Sequence, residues 1–363
     1  MPSKVSSKTA SPVLILVITA MAVCSGCGGS LTANAPNTGT APSPISPPPI
    51  TPAPPAGLFT PTGDMTIARA DHWATLLPDG RVLIIGGRSC AFCTSDPAEN
   101  SAEFYDPSVG KFTPADVAFT ARGGHKAIML PDGKILIVGG IVLQDGRTLL
   151  TNDVNAEIYD PVTDSLAVTG AYVKPIPQSW TTGTLLLDGR VLLTGCALDC
   201  SVGVTEVFDP RSGEFSSTGS MRGWLNENTA TLLVDGIVLF VGNAENDGSP
   251  GEAEVYDPVS GTFAFSGNTH APHEFSAAVR LLDGTVLIAG GQLPGGSGST
   301  GADLYLPATG TFVSAGDMIL GLHEHTATLL HDGTVLIAGG FSTWPIPTSS
   351  AEIYRPSVAH RER

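Results

Sequence analysis

The sequence predicts an all-β propeller of six four-stranded antiparallel blades, and a sixfold internal repeat is the main reason. Between residues 58 and 356 one pattern recurs: an apolar run, an Asp-Gly turn, a second apolar run ending in glycine, a variable loop, and a strand with an aromatic residue. The glycines that end the second run are Gly86, Gly139, Gly195, Gly242, Gly290 and Gly339. Their spacings of 53, 56, 47, 48 and 49 residues are those of blade-sized repeats.

The first two strands of every repeat are predicted to form a tight hairpin. Asp-Gly between two apolar runs is a strong hairpin signal, because glycine supplies the positive φ of a two-residue turn. The six turns are Asp79-Gly80, Asp132-Gly133, Asp188-Gly189, Asp235-Gly236, Asp283-Gly284 and Asp332-Gly333. The second strand is nearly continuously apolar, so we expect neighbouring sheets to cover both of its faces.

The third and fourth strands follow from an aromatic position and a proline turn. Third strands carry Tyr105, Tyr159, Phe208, Tyr256, Tyr305 and Tyr354. Proline then ends the strand, and fourth strands carry Phe112, Leu166, Phe215, Phe263 and Phe312. A carboxylate also recurs in the third strands, at Glu103, Glu157, Glu206, Glu254, Asp303 and Glu352. Because it recurs, we expect it to hold the scaffold through backbone hydrogen bonds.

The sixth repeat has no fourth strand of its own. Its counterpart lies at the other end of the propeller, where Gly57-Leu58-Phe59-Thr60 matches Gly310-Thr311-Phe312-Val313. We therefore expect the N-terminal strand to be the outer strand of the sixth blade and to close the ring, which leaves only short protected edges.

The residues before the propeller predict export. Lys4 and Lys8 precede an uncharged apolar stretch at 12–23, which is too short to span a bilayer and is typical of a signal peptide. The following Ser-Gly-Cys resembles a bacterial lipoprotein box with Cys27 as the lipidated residue; Cys24 in a weaker box, or a plain secretory signal, are the alternatives. We thus divide the chain into a signal peptide (1–26), a Pro-rich linker (27–57), a propeller (58–356) and a tail (357–363).

Localisation and partners follow from export and charge. We expect a monomeric, membrane-anchored bacterial lipoprotein, facing the periplasm or the cell surface, with the inner or outer membrane left open. The net charge of −16 argues against nucleic acid and against membrane binding other than through the lipid. In an exported protein, Cys90 with Cys93 and Cys196 with Cys200 are expected to form local disulfides.

The repeat resembles the kelch family, in particular its bacterial and fungal branch that includes the central domain of galactose oxidase. The resemblance covers 58–356 and implies a kelch propeller. It does not imply copper chemistry, because the oxidase site uses a Tyr-His pair, and no Tyr-His dipeptide occurs here. The chain is similar in architecture to the periplasmic sialic acid mutarotase, without a residue string that matches its active site. No cofactor is expected.

The long, variable loops that enter the first strand and leave the second lie on one face of such a propeller, and the candidate site residues lie there. Tryptophan is enriched where sugars or proteins bind, and all four lie on this face: Trp73, Trp180, Trp224 and Trp344. The alternative is that each covers an apolar gap between blades.

Histidines and carboxylates complete the candidate set. His72, His125 and His325 lie seven residues before their turn aspartates and are expected to ring the channel mouth. With His323 they could hold a divalent metal, or they could only bond to neighbouring backbone. The non-recurring carboxylates beside this ring, which are candidates for acid–base catalysis or sugar contacts, are Glu227, Glu274 and Glu324.

The sequence therefore favours an envelope propeller that binds a protein or a glycan through its variable face, without a complete catalytic set. The alternative is a carbohydrate-active enzyme of the mutarotase or lyase type that uses the carboxylates and histidines of the channel mouth.

Overall fold

The computed structural model describes residues 56–88, 101–115, 122–144, 147–149, 156–160, 162–163, 165–170, 182–196, 203–221, 226–243 and 250–357. The regular structure in these ranges is entirely β, and it belongs to one compact unit. Within them there is no helix with the length and hydropathy needed to cross a membrane.

The strands follow the sequence repeat. The first is β1 (Leu58–Pro61). The first repeat forms β2 (Trp73–Leu76), β3 (Val82–Ile85), β4 (Ala102–Asp106) and β5 (Lys111–Ala115). The second forms β6 (Arg122–Met129), β7 (Ile135–Gln144), β8 (Arg147–Leu149), β9 (Glu157–Asp160) and β10 (Ser165–Val168). The third forms β11 (Thr182–Leu185), β12 (Val191–Cys196), β13 (Gly203–Asp209) and β14 (Glu214–Ser217).

The last three repeats continue the pattern. The fourth forms β15 (Asn226–Leu232), β16 (Val238–Asn243), β17 (Glu252–Asp257) and β18 (Thr262–Asn268). The fifth forms β19 (Ala277–Arg280), β20 (Val286–Ala289), β21 (Gln292–Leu293), β22 (Ser297–Leu306) and β23 (Thr311–Leu322). The sixth forms β24 (Thr326–Leu329), β25 (Val335–Ala338), β26 (Phe341–Thr343), β27 (Ile346–Pro347) and β28 (Ala351–Arg355).

These strands pair antiparallel in separate sheets, one for each repeat. Four sheets have four strands: β2-β3-β4-β5, β11-β12-β13-β14, β15-β16-β17-β18 and β1-β28-β25-β24. The other two keep a four-strand path and add short strands, because β8 pairs with β7, and β21, β26 and β27 join the sheet of the fifth repeat. The four-stranded antiparallel blade is therefore confirmed, and short strands are added to it in these two sheets.

The hairpin of the first two strands is confirmed, but its turn differs from the expected two-residue turn. In the first repeat Leu77 N donates to Arg81 O at 2.8 Å, and Gly80 N donates to Leu77 O at 2.9 Å. This pattern encloses the three residues Pro78-Asp79-Gly80, and only Gly80, with φ of 89°, is left-handed. A three-residue loop with glycine at its end needs one positive φ rather than two, which leaves the aspartate free to accept from the backbone two residues later.

The core lies between the sheets rather than in one centre. Val82 and Ile84 of β3 belong to the same buried cluster as Leu336 of β25 and Ile353 of β28. On β20 the two faces belong to different clusters, Val286 and Ile288 to one and Leu287 and Ala289 to another. This second strand is thus covered on both faces, as its continuous apolar sequence predicts. The first strands of neighbouring repeats, β2, β6, β11, β15, β19 and β24, lie beside one another at the centre.

The strand β1 pairs with β28 in the register Leu58↔Arg355 to Pro61↔Glu352. Phe59 is buried, and its ring lies 4.8 Å from that of Tyr354. The N-terminal strand is therefore the edge strand of the sheet of the sixth repeat, in the place where the sequence predicts it.

The third-strand carboxylates accept hydrogen bonds from the backbone of the segment that precedes the first strand of their own repeat. Glu103 accepts from Thr66 N at 2.7 Å, Asp303 from His270 N at 2.8 Å, and Glu352 from Ile319 N at 2.9 Å. Their scaffold role is confirmed at these three positions.

Candidate functional site

The first strands surround a cavity of about 290 Å³, and all six repeats contribute to its wall. Asp71, His72 and Trp73 come from the first repeat, Lys126 from the second, and Glu324 and His325 from the sixth. The cavity therefore contains two carboxyl groups, an amine and two imidazoles within a narrow space.

An arginine bridges the two carboxyl groups. Nη2 of Arg88 lies 2.6 Å from Oδ2 of Asp71 and 2.6 Å from Oε2 of Glu324. Arg88 follows Gly86-Gly87 at the end of β3, and paired backbone hydrogen bonds of 3.0 and 2.9 Å to Ala70 hold it beside the first strand. The Arg88 side chain is one-quarter exposed and does not itself line the cavity, so it reaches the two carboxyl groups from outside the cavity wall.

The backbone at the channel mouth is left-handed at three equivalent positions. Asp71, Phe275 and Glu324 have φ of 53°, 53° and 54°, and each lies eight residues before the turn aspartate of its repeat. Asp71 N donates to Glu324 O at 3.1 Å, and Glu324 N donates to Phe275 O at 2.9 Å, which links three neighbouring repeats. Such conformations cost about 1–3 kcal/mol each for residues other than glycine, and they concentrate at functional sites.

The electrostatics of the pair favour a proton on Glu324. Burial, followed by the neighbouring Asp71 carboxyl, raises the pKa of Glu324 to about 8, although Arg88 opposes the shift. Burial disfavours the charge of Arg88, but Asp71 and Glu324 outweigh it and raise the arginine's pKa. Near neutral pH the Glu324 carboxyl is thus mostly protonated and can donate a hydrogen bond or a proton.

His72 and His325 at the channel mouth are neutral at pH 7. Burial lowers the pKa of both His72 and His325 to about 3, with smaller contributions from Arg69 and His323 respectively. Nε2 of His72 lies 3.0 Å from Oγ1 of Thr326, a contact between the first and sixth repeats.

His323 is also buried, and its ring lies 5.4 Å from that of Phe341. Across the described part of the chain, no three His, Cys, Asp or Glu side chains are grouped to hold a metal ion. The proposed metal site of His72, His125, His323 and His325 has no such support here, and the side chain of His125 on β6 is not described.

Aromatic rings lie against the bridging arginine. The guanidinium carbon of Arg88 is 5.5 Å from the Trp344 ring centroid and 5.6 Å from that of Phe341, and these two rings are 4.9 Å apart. Trp344 therefore contacts the carboxyl–arginine cluster through Arg88, although it belongs to a loop of the sixth repeat.

The structure thus brings together His72, Trp73, Glu324 and His325, with Trp344 beside Arg88. Glu274 is buried and does not line the cavity. The candidates outside the described residues are Cys27, Cys90, Cys93, Trp180, Cys200 and Trp224. The candidates with a described backbone but no described side chain are His125 on β6, Cys196 on β12 and Glu227 on β15.

Sequence reasoning missed Asp71, Arg88 and Lys126. The repeat itself contained the signal for two of them. Asp71 shares the position of Glu227 and Glu324, eight residues before the turn. Arg88 follows the double glycine, a position that differs in chemistry from one repeat to the next.

No family model matches the chain, and no curated protein matches its sequence. Among solved structures, the structure of YjhT matches with a TM-score of 0.61 and 14% sequence identity, over 80% of this chain and 96% of that chain. YjhT is a propeller. The chain has a β-propeller fold. At this identity the similarity establishes the architecture and carries no ligand or activity from one protein to the other.

Proposed function

We propose that this chain is a ligand-binding propeller whose channel mouth takes a small glycan. The observation that supports this is the Arg88 bridge between Asp71 and Glu324, at the wall of a cavity and beside Trp344. Ligand sites in propellers and barrels typically combine such a concave cavity with a few convergent polar groups.

The chemistry of the cluster suits hydroxyl groups. Ionised carboxylates accept hydrogen bonds, a guanidinium donates them, and a protonated carboxyl does both, so the three groups match the mixed donor and acceptor pattern of a sugar ring. A tryptophan face supplies apolar contact for the C–H side of the ring. The cavity volume of about 290 Å³ limits the inserted part to about one sugar residue.

Binding of a panel of monosaccharides and envelope glycans to the purified protein, measured by calorimetry, tests the proposal. Arg88→Ala should weaken binding at least about tenfold, because it removes charge-assisted hydrogen bonds worth about 1.5–3 kcal/mol each. Arg81→Ala is the matched control, since Arg81 pairs with Asp79 in a hairpin turn at the other end of the strands. Equal affinity of the two variants would exclude the channel mouth as the glycan site.

The raised pKa of Glu324 supports a second candidate, a carbohydrate-active enzyme. A carboxyl with a pKa of about 8 beside a second carboxyl is suited to act as general acid while its neighbour acts as base. Glu324→Gln should then abolish turnover of a bound sugar and preserve its binding, as followed by NMR of anomeric protons. Unchanged turnover in this variant would remove the candidate.

We further propose a kelch-type ring of six blades closed by β1. The sixfold repeat, the separate sheet of each repeat and the β1–β28 pairing support it. Deletion through Ala56 should leave a folded propeller, whereas deletion through Thr62 should expose an unpaired edge and cause aggregation. Equal melting temperatures of the two truncations would argue against closure by β1.

Export and lipidation complete the proposal. The apolar stretch before Cys27 and the Pro-rich residues after it support a lipid-anchored envelope protein. Cys27→Ala should release the protein from membranes in fractionation of a bacterial host, whereas Cys24→Ala should not. A protein that partitions identically with both substitutions would instead have a plain secretory signal or no export. The disulfides Cys90–Cys93 and Cys196–Cys200 belong to this proposal and are testable by mass spectrometry of unreduced peptides.

A further inference from the structure

Lys126 is a half-buried lysine in the wall of the cavity. No described residue accepts a hydrogen bond from its ammonium group or forms an ion pair with it. The strand that carries it is held by backbone pairing with β7, where Lys126 lies opposite Val138. A cation in such a place loses solvation free energy, which the charges of Asp71 and Glu324 offset only in part.

Two comparisons show that Lys126 differs from the other lysines that the structure describes. Lys111 is exposed on β5, and Nζ of Lys134 lies 3.3 Å from Oδ2 of Asp132 on the surface. Burial lowers the pKa of Lys126, although Asp71 and Glu324 act against the shift. A larger fraction of its amine is therefore uncharged and nucleophilic at neutral pH.

The same cavity contains a proton donor. The Glu324 carboxyl is mostly protonated near neutral pH, and Asp71 lies beside it. A nucleophilic amine and a carboxyl pair that can give and take a proton are the two requirements for condensation of an amine with a carbonyl group.

We propose that Lys126 is a nucleophile that forms an imine with the carbonyl carbon of a small aldehyde or open-chain reducing sugar in the cavity. The uncharged Nζ attacks the carbonyl carbon, a C–N bond forms as the C=O π bond breaks, and one proton passes from nitrogen to the carbonyl oxygen through the carboxyl pair to give a carbinolamine. The Glu324 carboxyl then protonates the hydroxyl, the C–O bond breaks and water leaves. The remaining proton on nitrogen passes to the Glu324 carboxylate, which restores the carboxyl group and gives the neutral imine. Amine and carbonyl become imine and water, without oxidation or reduction.

Reductive trapping tests this step. The protein is incubated with glycolaldehyde and sodium cyanoborohydride at pH 7, and the adduct on each lysine is quantified by peptide mass spectrometry. We expect Lys126 to react more than about fivefold faster than Lys111 and Lys134, because the uncharged fraction of an amine rises about tenfold for each unit by which its pKa falls. In denaturing urea the three rates should converge.

Lys126→Arg provides the matched variant, since it retains the charge and length but cannot form an imine under these conditions. In this variant the fast phase of adduct formation should disappear, while the labelling rates of Lys111 and Lys134 stay unchanged. Equal labelling of the three lysines in the folded wild-type protein would overturn the proposal, and this comparison does not depend on how the variant folds.

For a sugar substrate the inference rests on the proposed glycan site, and the two can fail separately. If glycans bind in an Arg88-dependent manner but Lys126 is not preferentially trapped, the imine is excluded and the binding function stands. If Lys126 is trapped and no glycan binds, carbonyl chemistry at the cavity stands without the glycan site.

Discussion

Replacement of Phe59 by alanine should reduce the free energy of unfolding by about 3–5 kcal/mol, the usual cost of a buried Phe→Ala change. Only 7% of Phe59 is exposed, its ring lies 4.8 Å from that of Tyr354, and it belongs to a buried cluster with Leu287 and Ile337. The substitution leaves a cavity between β1 and its neighbours, and it removes an aromatic pair worth about 0.5–1.5 kcal/mol of that total.

Urea unfolding followed by circular dichroism measures the change. Leu58→Ala is the matched control on the same strand, because Leu58 is 61% exposed and its loss should change stability by no more than about 0.5 kcal/mol. Phe112→Ala is the positive control, since the ring centroids of Phe112 and Tyr105 lie 4.7 Å apart in the equivalent place of the first repeat. If Phe59→Ala resembled Leu58→Ala rather than Phe112→Ala, β1 would not be packed as an integral strand of the last sheet.

Three further changes test the turns, the buried ion pair and the carboxyl cluster. Gly87→Ala should destabilise the protein more than Gly133→Ala in urea unfolding. Both glycines have positive φ, but a Cβ at Gly87 would lie 2.6 Å from a backbone carbonyl oxygen, whereas one at Gly133 would meet nothing within 4 Å. Equal losses of stability in the two variants would contradict this reasoning. Arg69→Met should cost about 3–5 kcal/mol, because it leaves the fully buried Glu103 without the cation now 3.0 Å away; a loss below about 1 kcal/mol would mean that the pair is solvated. Glu324 has a folded pKa of about 8, above the ordinary 4.5, so its contribution to stability is complete below about pH 4.5 and declines as the pH rises toward 8. Between pH 6.5 and 8, the free energy of unfolding of the wild-type protein should therefore fall by up to about 1.4 kcal/mol per pH unit through this group, and Glu324→Gln should abolish that decline. If urea titrations gave the same pH dependence for both proteins, the raised pKa would be refuted.

Much of the fold was accessible from the sequence because its signals are local and repeated six times. The Asp-Gly hairpin in each repeat, the apolar second strands and the displaced Phe59 all lie where pattern reasoning places them. The turn length was wrong, since two-residue and three-residue loops that end in glycine share the same letters and differ only in backbone hydrogen bonding. The added strands β8, β21, β26 and β27 were also missed, because loop segments pair by proximity without a marked alternation.

The candidate site was accessible only in part. Glu324, His72 and His325 stood out because they depart from the repeat, and they do line one cavity. Arg88 did not stand out, because its role depends on meeting Asp71 of its own repeat and Glu324 of another at 2.6 Å each.

By itself, the sequence determined the repeated β architecture and the strand that completes the last sheet, because hydrophobic pattern, turn glycines and prolines act over a few residues. Only the tertiary structure decided which polar residues share an environment. The raised pKa of Glu324 and the lowered pKa of Lys126 depend on groups of the first, second and sixth repeats, and Asp71 and Glu324 are separated by 253 residues in sequence. Burial and Coulomb interactions depend on distance in space rather than in sequence, so these properties exist only once the sheets have assembled around the cavity.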